Sequence, residues 1–182
     1  VNWRDGVPFL SFSARDLATT AVRRKLDSGL PQNIVLRVAA YRPSDTRTPV
    51  AAAALTCRVT NDIVERRYRV QVPTPRDPDR IEYISTLDGA LRRCLEVRGM
   101  QVVARTDWRA HRGERVRFAV LIEFNPLSPH TVEQIRRWLA NSSGGPAGNE
   151  AFFGSFVSVF VSHRVGSAER VLRFQSQPVR VP

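Results

Sequence analysis

Apolar and polar positions alternate along much of this chain, and that two-residue period predicts sheet more often than helix. The stretch Phe152–Val161 (FFGSFVSVFV) sets Phe156, Ser158 and Phe160 on one face and Val157, Val159 and Val161 on the other. With both faces mostly apolar it reads as an interior strand. After a break at 163–169, Val171–Phe174 can return beside it. Arg115–Phe124 carries Val116, Phe118, Val120, Ile122 and Phe124 on one face. Phe9–Ala14 and Gln101–Thr106 are shorter strands. Asn33–Arg42, Pro49–Thr60 and Ile63–Val72 read as an antiparallel meander, with a tight turn expected at Asn61-Asp62. In the last of these, Glu65, Arg67, Arg69 and Gln71 form a wet face, and the charges suit an edge strand.

Three stretches carry helical spacing instead. Leu17, Ala21, Val22 and Leu26 make one stripe, with Asp16 as the expected N-cap, Arg23–Lys25 in the last turns and Gly29 as the stop. Thr86 is placed to cap a second helix whose Leu87, Leu91, Cys94 and Leu95 face inward, ending at Gly99. Ser128-Pro129 opens a third, with Val132, Ile135, Trp138 and Leu139 as its apolar stripe. The prolines between Pro73 and Pro78 make a loop, and Asn141–Asn149 (NSSGGPAGN) reads as a flexible one. The elements flanking each loop are too short for separate cores. The expectation is therefore one domain over 1–182, mainly β with accessory helices. Its predicted form is an antiparallel β-sandwich capped by two or three short α-helices, the alternative being an α+β domain with one curved antiparallel sheet.

Composition narrows the function classes. The apolar fraction of 42% fits a packed globule. No apolar run reaches the roughly 18–20 residues that span a bilayer. The chain begins at Val1 without Met, so a cleaved leader or a lipid anchor upstream would leave no trace in it. The formal charge is +11, and Lys25 is the only lysine among 28 basic residues. Arginine contacts carboxylate and phosphate bidentately, so an acidic protein surface, an anionic surface or nucleic acid are the partners that charge suggests. The arginines are spread along the chain without a dense tract, which a GC-rich coding bias also produces. Cys57 and Cys94 are too far apart in sequence for a CxxC site. One falls in a strand and one on a helix, and two separate buried thiols are the expected arrangement.

Candidate chemistry is sparse. His111, His130 and His163 have no metal-like partner at helical or strand spacing, and each is expected at the surface. There is no GxSxG elbow, phosphate-binding GxxxxGK[ST], GxGxxG or HExxH. Ser142–Gly145 lacks the Lys-Ser/Thr of a phosphate loop, and Asp77, Asp79 and Glu82 are interleaved with Arg76 and Arg80. No catalytic residue, metal ligand or cofactor site is assigned. Asp107–Arg112 places Trp108 among cations, a mixture suited to a protein contact or to base stacking, or to a turn whose Trp packs on a neighbouring strand. Phe152 and Phe153, beside the loop at Asn149, form the first candidate partner-binding edge, with Trp108 and Arg109 as a second patch.

Several segments taken together carry a family likeness: Leu26–Pro31 (LDSGLP) leading into Ile34–Arg42, Thr56–Val59, Arg67–Val72 (RYRVQV), Ile84–Leu95 and Ile122–Pro126 (IEFNP). Their order resembles an uncharacterised proteobacterial family of exported envelope proteins known only as a domain of unknown function. The resemblance implies a periplasmic or outer-membrane-associated setting and carries no catalytic residues. The expected function is a non-enzymatic binding or structural module of a bacterial cell-envelope protein assembly, with other protein subunits as partners. The alternatives are a nucleic-acid-binding protein in the cytoplasm and an unrecognised hydrolase.

Overall fold

A computed structural model describes residues 1–74, 77–104, 107–126 and 168–182. Among the described residues, eleven strands and two α-helices follow in chain order. The strands are β1 (Asn2–Arg4), β2 (Val7–Ser13), β3 (Gln32–Tyr41), β4 (Ala51–Asp62), β5 (Arg67–Gln71), β6 (Ile81–Ile84), β7 (Glu96–Gln101), β8 (Val103–Ala104), β9 (Arg115–Pro126), β10 (Ala168–Gln175) and β11 (Val179–Arg180). The helices are α1 (Thr20–Leu26) and α2 (Leu87–Leu95), with 3-10 turns at Arg15–Leu17 and Trp108–His111. The third helix expected from Ser128, the loop 141–149 and the strand 152–161 lie outside the described residues.

The strands form two antiparallel sheets. A three-stranded sheet runs β1-β2-β7, and an eight-stranded one runs β10-β9-β3-β4-β5-β6, with β11 on β9 and β8 on β4. Every pairing among the described residues is antiparallel; β1–β2 and β4–β5 are joined by short turns, whereas β2–β7, β3–β9 and β9–β10 join strands distant in sequence. The alternation places Ile34, Leu36 and Val38 of β3, Cys57 and Val59 of β4, and Phe118, Val120, Ile122 and Phe124 of β9 in one apolar cluster. Leu10 and Val97 of the small sheet, Val22 and Leu26 of α1, and Leu91 and Leu95 of α2 complete it. The architecture is thus mainly β, sandwich-like, with accessory helices, as the pattern predicted.

Local differences have local causes. The cap of α1 is Thr19 and not Asp16, because the 3-10 turn at Arg15–Leu17 takes up the earlier residues. α2 begins at Thr86, whose hydroxyl accepts from the Gly89 amide at 3.1 Å, but it ends at Leu95 and runs straight into β7. Gly99 therefore lies inside a strand, at φ +66°, rather than at a helix end. The β4–β5 reversal is not at Asn61-Asp62, which pair with Tyr68 and Arg67. The turn is Ile63–Arg66, with Arg66 in the left-handed region at φ 51°. β5 is not an edge strand, because β6 pairs along it and itself forms that edge. β10 lies beside β9, Leu172 opposite Ile122.

The cysteines correct another expectation. Cys57 and Cys94 form a disulfide, with Cα atoms 5.6 Å apart and a sequence separation of 37. Strand and helix patterns showed that each thiol faces inward, and α2 packing over β5 and β6 brings Cys94 to Cys57 of the adjoining β4. The bond ties the large sheet to the helix that leads into the small one.

The large sheet is also buried on its other face. Val35, Ala39, Tyr41, Ala52, Ala54 and Leu121 are buried but stand apart from the main core cluster. Among them Arg37, 1% exposed, forms an ion pair with Glu123, 5% exposed. Burial pulls the Arg37 guanidinium down to about 10. A charge so deeply desolvated persists because its counter-charge lies one diagonal away on the neighbouring strand.

Candidate functional site

The Trp108 patch divides on folding. Asp107 caps the 3-10 turn Trp108–His111, its carboxylate accepting from the Arg109 amide at 2.9 Å. That turn aims Trp108 inward, where it is 4% exposed and its indole nitrogen donates to the Val102 carbonyl at 2.9 Å. Its ring meets Trp3 edge-on with centroids 5.3 Å apart and lies 6.3 Å from Phe118. Trp108 is therefore a core residue and offers no anchor to a partner. Arg109 points outward with its side chain 83% exposed, and its nearest carboxylate is Asp107 at 3.9 Å. Phe152, Phe153 and Asn149 lie outside the described residues.

His111, expected at the surface, is 7% exposed. Its Nδ1 lies 3.2 Å from Glu114 Oε2 and 3.1 Å from an Arg42 nitrogen. Arg42 Nε donates to the same Glu114 oxygen at 2.8 Å. The Arg42 guanidinium, and then His111, hold the Glu114 carboxyl below the usual carboxylate range. This cluster sits where β3 ends and β9 begins. Beside it a cleft of about 160 Å³ is lined by Tyr41, Arg42, Pro43, Thr46, Arg117, Ala119 and Gln175.

The opposite end of β4 carries a different surface. Leu30, Ile63 and Val64 are 66%, 66% and 88% exposed. Ile63 lies against Gly29, whose φ of +79° needs glycine and whose Cβ position is 3.0 Å from Ile63 Cδ1. The side chains of Asn61 and Tyr68 both bond Asp27, to its carbonyl and its carboxylate respectively, tying the hairpin to the α1–β3 turn. The apolar tip is thus held on a braced support. A strand of twelve residues separates it from the arginine cluster, about 35–40 Å at ~3.3 Å per residue. Reading Ile63–Val72 as continuous strand hid this tip, since Val64 then falls in line with the buried Val70.

Among the described residues no three His, Cys, Asp or Glu side chains gather as metal ligands. No described helix is long and apolar enough to cross a membrane. No curated protein and no solved structure matches the chain. One family does, over residues 1–128 of 182, and it covers both ends of β4, the disulfide and the arginine cluster. The chain belongs to the family described as a domain of unknown function (DUF4390).

Proposed function

We propose that this chain is a non-enzymatic binding module of a bacterial cell-envelope protein assembly, and that it holds a protein partner at the Leu30–Ile63–Val64 tip. The observation that carries the reading is the tip itself. Ile63 packs on Gly29, the neighbour of Leu30, and Leu30, Ile63 and Val64 all stand in water at a braced turn. Contiguous exposed apolar surface rimmed by polar residues marks interaction sites. Asp62, Glu65 and Arg66 supply such a rim. The cross-link from Cys57 to Cys94 supports the compartment, because disulfides persist where thiols are not kept reduced.

Two measurements test it. A photo-crosslinking side chain at position 64 in living cells should trap one discrete protein, and the same group at exposed position 24 should not. Leu30→Ser with Ile63→Ser should abolish the position-64 adduct while the melting temperature stays within about 2 °C, as for most surface changes. An adduct that survives the double substitution, or no adduct at position 64, removes the proposed surface. For the compartment, chain drawn directly from cells into a denaturing alkylating reagent should take up no label at Cys57 or Cys94. Full labelling overturns the envelope setting.

A further inference from the structure

We propose that the cleft between Tyr41–Thr46 and Arg117–Ala119, at the arginine end of the large sheet, binds a phosphate group. The lining supplies donors of several kinds. Arg42 and Arg117 bring guanidinium groups, Thr46 a hydroxyl and Gln175 an amide. Such a set suits a tetrahedral oxyanion, which offers acceptors in several directions.

Arg42 is preorganised. Glu114 takes its Nε at 2.8 Å and one terminal nitrogen at 3.4 Å, and His111 meets that same nitrogen at 3.1 Å. The edge of the guanidinium away from Glu114 keeps its remaining donors. Arg117 differs: among the described residues it has no carboxylate partner, and its one contact is a long one to Gln175 Oε1 at 3.4 Å. Asp45 keeps its charge near Arg42, its carboxylate accepting from the Arg47 and Thr48 amides at 2.9 and 3.2 Å. Glu114 takes one edge of Arg42 and no described carboxylate takes Arg117, so both guanidinium groups keep donors for an oxyanion.

Size agrees with this chemistry. At about 160 Å³ the cleft has room for a phosphate group. The phosphate can belong to a small soluble molecule or to a lipid headgroup, and the experiment separates these sources.

Inorganic phosphate is titrated into the full chain against chloride at matched ionic strength, by calorimetry and by amide chemical shifts. Phosphatidylglycerol and phosphatidylcholine vesicles are tested in parallel by flotation. Arg117→Gln is compared with Arg24→Gln, which removes the same charge from exposed α1. The expected result is shifts confined to residues 41–46, 117–119 and 175, with binding at least tenfold weaker in R117Q and less than twofold weaker in R24Q. Arg117-dependent binding of inorganic phosphate assigns a soluble ligand. Arg117-dependent flotation with phosphatidylglycerol alone assigns a headgroup. Equal loss in both variants, or shifts scattered over the surface, identifies diffuse charge attraction and overturns the site. So does a failure of both probes. If R117Q does not fold, the shift pattern of the unsubstituted chain decides.

Discussion

Removing the Cys57–Cys94 bond should cost this protein a large part of its stability. The cross-link closes a loop with a sequence separation of 37 and encloses β5, β6 and most of α2. In the chain-entropy description, a loop of that length restrains the unfolded ensemble by about 4 kcal/mol at 25 °C. Native domains are stable by only about 5–15 kcal/mol. For a chain of this size each kcal/mol moves the melting temperature by about 2–4 °C, so the expected drop is about 8–16 °C. Three samples separate the cross-link from packing: oxidised protein, the same protein reduced and alkylation-checked by mass, and Cys57→Ala with Cys94→Ala. Both sulfurs sit in the core, at 0% and 1% exposure. The alanine pair should therefore lose somewhat more than the reduced protein, which keeps its sulfur atoms. Thermal and urea unfolding give the differences. If the reduced protein melts within 3 °C of the oxidised form, the loop is not constrained as argued, and the support for an oxidising compartment goes with it.

Three further outcomes follow from separate parts of the structure. Glu123→Gln strips the counter-charge from buried Arg37 and should destabilise by about 3–5 kcal/mol, whereas Arg37→Met with Glu123→Leu should recover most of that loss in urea unfolding. Stability should hold steady above pH ~4.5 and fall below it. Arg93, Arg42 and Lys25 hold the carboxyls of Glu82, Glu114 and Glu169 below their ordinary 4.5, so each contributes fully above that pH and is lost as pH falls through its lowered value. Unfolding free energy against pH checks this, and Arg93→Gln should make the acid limb shallower. Gly89→Ala should destabilise by about 1–3 kcal/mol although alanine favours helix, because its Cβ would lie 2.7 Å from Ile84 Cγ2 and 3.0 Å from Thr86 Oγ1. A melting temperature at or above that of the parent chain would show that Ile84 gives way easily.

The sequence by itself determined the element types, because period and capping are local properties. Strand alternation in Asn33–Arg42 and Arg115–Phe124 marks the faces that Ile34, Leu36, Phe118 and Ile122 turn to the core. The Thr86 cap set the start of α2. Alternation also made a mainly β fold legible before any pairing was known. It could not say which strands are neighbours, since register and order depend on partners distant in sequence. So β5 read as an edge until β6 covered it. Two cysteines in different elements read as separate thiols until packing brought α2 to β4. Trp108 in a run of cations read as an anchor until one 3-10 turn reversed it into the core. The candidate sites were illegible for the same reason. Arg42, His111, Glu114 and Arg117 come from two stretches 69 to 72 residues apart at their closest contacts, and only the pairing of β3 with β9 brings them together. Gly29 meets Ile63 only because the α1–β3 turn is tied to the hairpin. Local periodicity fixes what each segment is, and long-range packing fixes which side chains share a surface.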